Sequence, residues 1–432
     1  MPDSSKPIGL TSATSLVVAS MIGAGVYTTS GFALADLGTP GRVLAAWLVG
    51  GVVAVCGAIC YGSLARRFCE SGGEYLFLAR AVHPAAGFMA GCVSLLAGFT
   101  GALAFAATAL ESYLTPSGES WEWLPSGSLA MGSVVLAALL HAYRVRPGTW
   151  VQNGLVTLKF GILLGLLALA LSRFPAGWAG YTAVAPDEVL PLSIYAFASS
   201  LMWISLSYSG FNAAVYITGE VQQAEKVVPR ALLLGTVLVG LLYLALNGVF
   251  LWGPPQEAIT GQAEVAAIAA AALGGEWPAR LTRAVIGLSL FTSISAMTML
   301  GPRVYAKMAD DGLLPSWFQA SGTVPRAAIL LQTGLSLVVI RFSGLRELLS
   351  YLGFTLSVSA ALTVTTLFFI RHREGAAALP VPYYPWPPLL FVGSTLGFAG
   401  LAAFLNPREC VAGVGTILFG LVVYWGMRGR KG

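Results

Sequence analysis

Charged side chains are scarce in this sequence. Asp, Glu, Lys and Arg together supply 10% of its 432 residues, whereas about a quarter of the residues in a soluble domain are charged. Hydrophobic residues account for 56%, and the mean hydropathy is +0.76. So few polar groups cannot cover a water-exposed surface, which excludes a soluble globular protein. The composition instead predicts an all-α integral membrane protein surrounded by the lipid bilayer.

Basic runs, cysteine pairs and metal-binding patterns are also missing. The net charge is +5, but the Lys and Arg residues are scattered between apolar stretches without a basic stripe or tail, which excludes a nucleic-acid partner. The five cysteines show no metal-ligand spacing with a histidine and no extracellular pair. We therefore expect buried thiols, no disulfide, no metal and no cofactor.

Two further functional classes lack the side chains that they need. The histidines, His83, His141 and His372, lie at the edges of loops, and no H-E-x-x-H motif or paired Asp lies at membrane depth. A membrane-embedded enzyme is therefore not predicted. A channel would need a ring of like charges or a repeated carbonyl filter, and neither is present.

What the sequence does contain is a series of about twelve apolar stretches long enough to cross a membrane as helices. They are residues 10–35, 42–65, 85–112, 128–143, 151–172, 191–219, 231–252, 280–308, 326–342, 347–370, 387–405 and 410–427. Most of the 24 Lys and Arg residues fall on the side that carries both termini, which predicts that both termini are cytoplasmic in a cell (inner) membrane. A short helix on the outer surface is expected within residues 253–279.

Glycine and serine interrupt two of these spans near the middle. The first contains S-M-I-G-A-G-V-Y at 20–27, and the sixth contains S-L-S-Y-S-G-F-N at 205–212. An opened helix is tolerated in lipid only where its freed N–H and C=O groups face protein or a watery cavity, and such groups suit a zwitterion. The alternative for a single motif is a close helix crossing. The matched pair, one in each five-span half, favours an inverted-repeat transporter with a site at the membrane midplane.

Lys159 is a cation predicted well inside a span. It follows Trp150 by nine residues, which places it about 13 Å from the start of the fifth span, near the middle of a roughly 30 Å core. A charge at that depth costs at least about 2.5 kcal/mol and usually serves a function. We predict an ion-coupling role for Lys159, and the alternative is a permanent cation that holds helices together.

Several polar motifs lie where the predicted spans meet the cytoplasm. They are S-G-G-E-Y at 71–75, H-P-A-A-G-F at 83–88, G-E-V at 219–221, P-R-A at 229–231 and G-P-R-V-Y-A-K-M-A-D-D-G-L-L-P at 301–315. Taken alone, each is a polar turn or a hinge. Glu220, Arg230 and Arg303 are free to pair across a cytoplasmic gate.

Together with I-G-A-G-V-Y at 22–27, these motifs in this order resemble the amino acid–polyamine–organocation (APC) superfamily. Within it, the sequence resembles the bacterial relatives of the L-type amino-acid transporters. The resemblance implies two inverted repeats of five helices, residues 1–190 and 191–375, followed by two extra helices in residues 376–432. It also implies secondary active transport of a small amino acid by alternating access, with the substrate between the broken first and sixth helices.

The resemblance assigns the substrate carboxylate to the first interruption. The backbone N–H groups of Ile22, Gly23, Ala24 and Gly25 would bind the carboxylate, and the hydroxyl of Ser20 would lie close by. These are the residues at which the helix is expected to open.

The resemblance assigns the other end of the substrate mainly to the sixth span. The carbonyls of Met21, Leu206 and Ser209 would bind the ammonium group, and Asn212 would lie near the substrate side chain. Lys159 matches the lysine that replaces a sodium ion in sodium-independent members, which favours proton-coupled symport or amino-acid exchange.

The sequence departs from the family pattern at one gating position and in one loop, and its interrupted segments lack acidic residues. These features affect the expected partner and substrate. Leu206 stands where many relatives carry an aromatic gating residue, which predicts a wider pocket or a gate formed elsewhere. The loop from Tyr113 to Gly127 has no cysteine, so no disulfide-linked heavy subunit is expected. No Asp or Glu lies in the interrupted segments, which favours neutral L-amino acids, and Glu111 is expected to be solvated. The alternatives are a cationic amino-acid or polyamine transporter of the same fold and a non-transporting amino-acid sensor.

Overall fold

The computed structural model describes residues 8–115, 125–142, 149–173, 191–310, 314–318 and 326–428. The first predicted span consists of two helices, α1 (Leu10–Met21) and α2 (Ala24–Leu37), which are bent by 41° across Ile22 and Gly23. The first span is therefore broken at Gly23, whereas the second predicted glycine, Gly25, lies in the first turn of α2.

The rest of the first half is also helical. It comprises α3 (Pro40–Phe68), α4 (Gly73–Ala81), α5 (Pro84–Val93), a π-helical segment (Ser94–Gly101), α6 (Ala102–Leu114), α7 (Ser128–Ala142) and α8 (Thr149–Arg173). The start of α3 follows from its sequence, because the Thr39 hydroxyl accepts a hydrogen bond from the N–H of Arg42 at 3.4 Å and Pro40 is the first helical residue. α5, the π-helical segment and α6 form one continuous span.

The second half begins with another interrupted span. Its elements are α9 (Ile194–Tyr208), a 3-10 segment (Ala213–Glu220), α10 (Ala224–Trp252), α11 (Gln256–Ile259), α12 (Val265–Gly274), α13 (Glu276–Asp310), a 3-10 turn (Ser316–Phe318), α14 (Arg326–Phe342), α15 (Leu345–Glu374), α16 (Trp386–Ala402) and α17 (Pro407–Arg428). The sixth span is thus broken after Tyr208, where the sequence predicts the break.

The helix positions confirm the predicted all-α class. Each predicted span corresponds to a helix or to a broken helix within the described ranges. Among the described residues, six helices are long and apolar enough to cross a membrane, and the count is seven when α1 and α2 are taken as one bent span. Other predicted spans are shorter apolar helices, such as α7 and α16.

The segment between α10 and α13 differs from the expected helix on the outer surface. The short helix is present as α12, but Val265, Ala266 and Ala267 have no exposed surface. Its sequence of alanines offers no polar face, so the helix is buried along most of its length, against α2, α8, α10 and α13. The N–H of Gly261 also donates to the carbonyl of Gly31 in α2 at 2.8 Å.

Glu111 is not the solvated residue that the sequence suggests. It is partly buried at the end of α6, and its carboxylate accepts hydrogen bonds from the N–H groups of Gly127 at 2.6 Å and Ala130 at 2.8 Å. Because the N-terminus of a helix favours a negative charge, Glu111 stabilises the start of α7.

Candidate functional site

The two interruptions lie against each other. Gly210 has a φ of +97°, a conformation that favours glycine, and a Cβ at this residue would lie 2.7 Å from the carbonyl oxygen of Ser20. A Cβ on Gly25 would lie 2.8 Å from the Cα of Ser207. Glycine at these two positions therefore allows the backbones of the first and sixth spans to approach closely.

The first interruption creates a new helix N-terminus, that of α2. Gly23 precedes the helix in an extended conformation, and no side chain caps this end. The first N–H groups of a helix lack carbonyl partners within it and carry partial positive charge, so those at Ala24 and Gly25 suit an anion such as a carboxylate. Ile22 differs, because its N–H donates to the carbonyl of Val18 at 3.2 Å.

The predicted ammonium-binding carbonyls lie on both sides of the contact. The carbonyl of Met21 accepts a hydrogen bond from the Tyr243 hydroxyl at 2.7 Å, and that of Leu206 accepts one from the N–H of Ser209 at 3.0 Å. A carbonyl oxygen has two lone pairs, so each retains capacity for a second donor. The side chain of Leu206 is buried, whereas Ser20 is exposed.

Tyr243 on α10 is a site residue that sequence reasoning missed. This buried side chain contacts both interrupted spans, because its hydroxyl lies 2.7 Å from the carbonyl of Met21 and 3.2 Å from that of Ser207. Asn247, one turn later, donates to the carbonyl of Tyr243 and accepts a hydrogen bond from Ser30 in α2. Two polar residues four positions apart on an apolar helix lie on one face, and this spacing was the available signal.

We expect Tyr243→Phe to lower the rate of amino-acid uptake roughly tenfold, the effect of losing a buried hydrogen bond. The ring would still pack on Trp47, whose centroid lies 5.3 Å away, while the carbonyls of Met21 and Ser207 would lose their donor. Initial uptake into proteoliposomes measures this effect. Tyr195→Phe, at an exposed tyrosine, is the matched control, and equal loss in both variants would contradict a specific role for Tyr243.

Asn212 connects the sixth span to a carboxylate outside the spans. Its side-chain amide donates to Oε1 of Glu74 at 3.3 Å, and Glu74 lies on α4 within the S-G-G-E-Y motif. From sequence, this motif is only a polar turn. Nothing local in the sequence indicates that its glutamate is buried against a residue 138 positions away.

Comparison with known proteins identifies the family. The sequence model of the amino acid permeases, described as "Amino acid permease", matches residues 8–427. The chain belongs to the amino acid permease family. This membership confirms the resemblance to the APC superfamily and makes the chain a multi-pass membrane transporter rather than an enzyme.

Three similarities, each over at least 97% of this permease, accompany the family match. It is 26% identical to the serine/threonine exchanger SteT of Bacillus subtilis (strain 168), over 99% of this chain and 98% of that protein. It is 26% identical to the Asc-type amino acid transporter 1 of Homo sapiens, over 97% of this chain and 82% of that protein. It is 25% identical to the large neutral amino acids transporter small subunit 2 of Mus musculus, over 97% and 80%.

Two basic residues predicted to act in the permease have side chains outside the described part of the structure. Lys159 belongs to the backbone of α8, in the fifth span, and Arg303 belongs to that of α13. Their roles in ion coupling and in the gate stay predictions.

The other two predicted gate residues of the permease lie near each other along the chain, at either side of the start of α10. Glu220 and Arg230 are both exposed, and within the described residues they form no ion pair with each other. The backbone carbonyl of Glu220 accepts a hydrogen bond from the N–H of Ile8 at 3.2 Å. Arg230 lines a cavity of about 400 Å³ together with Arg66, Glu225 and Lys226.

Proposed function

We propose that this permease moves neutral L-amino acids across the cell (inner) membrane by alternating access and without sodium, as a proton-coupled symporter or an amino-acid exchanger. The observation that carries the proposal is the contact between the two interrupted spans at Ser20 and Gly210. This contact brings the N–H groups at the start of α2 close to the backbone carbonyls at the ends of α1 and α9. The opposite partial charges of these two sets of groups match the two ends of a zwitterion.

In the proposed complex, the carboxylate lies at the N-terminus of α2. The N–H groups of Gly23, Ala24 and Gly25 bind it, and the N–H of Ile22 joins them when it leaves Val18. The exposed hydroxyl of Ser20 is a further donor.

The ammonium group lies on the carbonyls of Met21, Leu206 and Ser209, which retain free lone pairs. The substrate side chain extends past Leu206 toward Asn212. No Asp or Glu lies within 20–27 or 205–212, so neither interruption supplies a negative charge of its own. The carboxylate that reaches Asn212, that of Glu74, is buried and accepts hydrogen bonds from Tyr61 and Ser359. The names of the relatives, a serine/threonine exchanger and transporters of amino acids, support a neutral substrate.

The membrane arrangement belongs to the same proposal. The repeats are residues 1–190 and 191–375, with two further helices in 376–432, and both termini are cytoplasmic. Glu220, Arg230 and Arg303 form a cytoplasmic gate, across which the carboxylate and the guanidinium groups are free to pair. The distribution of Lys and Arg in the sequence supports this orientation.

Uptake of labelled serine, alanine, leucine and arginine into proteoliposomes tests the proposal. Each substrate is measured with an inward proton gradient, with internal amino acid, with a sodium gradient and with no drive. We expect uptake of the neutral substrates under one of the first two conditions and no stimulation by sodium. Stronger uptake of arginine would favour the cationic alternative, and binding without uptake would favour the sensor.

Lys159→Ala distinguishes the two coupling modes in the same assay. Loss of gradient-driven uptake in this variant makes Lys159 part of proton coupling, because a lysine inside the membrane can release its proton more readily than one in water. Loss of exchange that needs only internal substrate makes it a replacement for sodium. Lys226→Ala, at an exposed lysine of α10, is the control, and wild-type behaviour of Lys159→Ala in both assays would contradict a coupling role.

A further inference from the structure

The carboxylate of Glu74 joins one short helix to three other parts of the permease. Glu74 lies in the first turn of α4 and is 8% exposed. Its Oε1 accepts hydrogen bonds from the hydroxyl of Tyr61 at 2.6 Å and the amide of Asn212 at 3.3 Å, and its Oε2 accepts one from the hydroxyl of Ser359 at 2.9 Å. These donors belong to α3, to the interruption of the sixth span and to α15.

None of these partners carries a charge. Within the described residues, no Lys or Arg forms an ion pair with Glu74, and the nearby Arg80 pairs instead with Glu70 at 3.3 Å. A buried carboxylate without a cation tends to bind a proton. The hydroxyls of Tyr61 and Ser359 can each donate or accept, so this set of partners accommodates both the ionised and the protonated acid.

The surroundings of Glu74 contain few other titratable groups. Tyr61 faces it from α3 and Tyr216 faces it from the 3-10 segment after α9. The ionisable side chain of α5, Cys92, lies instead against Gly420 of α17.

The ends of α15 carry charges that are engaged elsewhere. Arg346 pairs with Asp36, and Glu374 pairs with Arg67 at 3.0 Å. Arg371 donates to the carbonyl of Leu379. In the middle of α15, Ser359 donates to the carboxylate. The hydrogen bonds of Glu74 therefore depend on its own proton and on neutral donors, and not on the charges at the ends of α15.

We propose that Glu74 is a proton-binding site that holds the sixth span, through Asn212, in the arrangement seen here, in which the carboxylate is buried. The proposal rests on the transport function proposed above. Asn212 follows Gly210 by two residues, so a shift of the broken span changes its distance to Glu74. When the span moves away, water reaches the carboxylate and takes its proton, and when the span returns, Glu74 is buried and takes a proton from water.

The direction of the pH effect follows from burial. Burial raises the pKa of Glu74 above its ordinary value, and the hydrogen bonds from Tyr61 and Ser359 oppose this rise. The arrangement in which Glu74 is buried therefore binds the proton more tightly than one in which Glu74 is hydrated. By linkage, acid favours the arrangement in which Glu74 is buried, and this preference is lost as the pH rises through the raised pKa.

Serine–serine exchange in proteoliposomes at equal internal and external pH tests the proposal. Between about pH 8 and about pH 5, we expect the wild-type rate to fall with a one-proton profile. Glu74→Gln, a mimic of the protonated acid, should give the low rate at every pH. Glu70→Gln, at the exposed partner of Arg80, should keep the wild-type profile.

Ser359→Ala is the second variant, because it removes a hydrogen bond that lowers the pKa of Glu74. The midpoint of its exchange profile should move up by about one pH unit. A merely structural role for Ser359 would change the rate but would not move the midpoint. An unshifted midpoint in Ser359→Ala or a wild-type profile in Glu74→Gln would overturn the proposal.

Thermal unfolding in detergent provides a measurement that does not depend on transport. The ionised form of Glu74 is disfavoured by burial, so Glu74→Gln should gain stability relative to wild type as the pH rises from about 5 to about 8. A pH-independent difference would overturn proton binding by Glu74. Exchange with a flat pH profile in wild type would also overturn this inference and leave the proposed function intact, whereas no exchange by folded wild type would contradict the proposed function itself.

Discussion

Replacing Gly210 by alanine is expected to lower amino-acid uptake at least about a hundredfold, the effect of displacing a site by roughly an ångström. Alanine at a φ of +97° is strained, and its Cβ would lie 2.7 Å from the carbonyl oxygen of Ser20 and 2.8 Å from the carbonyl carbon. Both are backbone atoms of α1, so no side-chain rotation relieves the contact. The first and sixth spans must separate, and the proposed carboxylate and ammonium sites then no longer face one substrate.

Initial uptake of labelled serine and the melting temperature in detergent measure this effect together. Gly248→Ala is the matched control, because a Cβ at this glycine of α10 would meet no atom within 4 Å. We expect this control to transport like wild type. Uptake by Gly210→Ala at the wild-type rate would mean that the contact between Gly210 and Ser20 is not required at any stage of transport.

The helices and the two breaks could be predicted because their causes are local in sequence. A run of apolar residues of sufficient length requires a helix in lipid, so the ends of most predicted spans lie within a few residues of the observed ones. The breaks follow from Gly23 in the first span and from Ser209 and Gly210 in the sixth. These residues weaken a helix wherever they occur in an apolar run.

The contacts that position the breaks could not be predicted, because they depend on tertiary structure. The hydrogen bond from Tyr243 to Met21 joins residues 222 positions apart, and that from Ser359 to Glu74 joins residues 285 positions apart. No periodicity in the sequence pairs such residues. The burial of α12 was missed for a related reason, since an Ala-rich helix is compatible with either a surface or an interior until its neighbours are known.

Side chains from two other helices form hydrogen bonds with the sixth span on the two sides of its interruption. Before the break, the Tyr243 hydroxyl lies 3.2 Å from the carbonyl of Ser207, and after it, Glu74 accepts a hydrogen bond from Asn212. Tyr243 belongs to α10 and Glu74 belongs to α4. Movement of either helix would therefore change the geometry of the break, which would give the proposed alternating access two points of control on the same short segment.

A second close approach between the two broken spans, at Gly25, predicts the second large effect. Gly25→Ala should abolish uptake, because its Cβ would lie 2.8 Å from the Cα of Ser207 and would also contact the Ser207 side chain. α2 would have to move away from α9, and its N-terminal N–H groups would leave the proposed carboxylate position.

A double variant separates this steric cause from a general loss of folding. Ser207→Gly removes the Oγ and Cβ atoms that meet the new methyl group, although the Cα remains, so Gly25→Ala combined with Ser207→Gly should recover part of the uptake. Ser207→Gly alone should transport less than wild type, since its hydroxyl lies 3.0 Å from that of Thr29. In the double-mutant cycle that these variants form, the loss of uptake in the double variant should be smaller than the sum of the two single losses, because the two residues are in contact. Additive losses in the double variant would show that Gly25 acts through something other than its contact with Ser207.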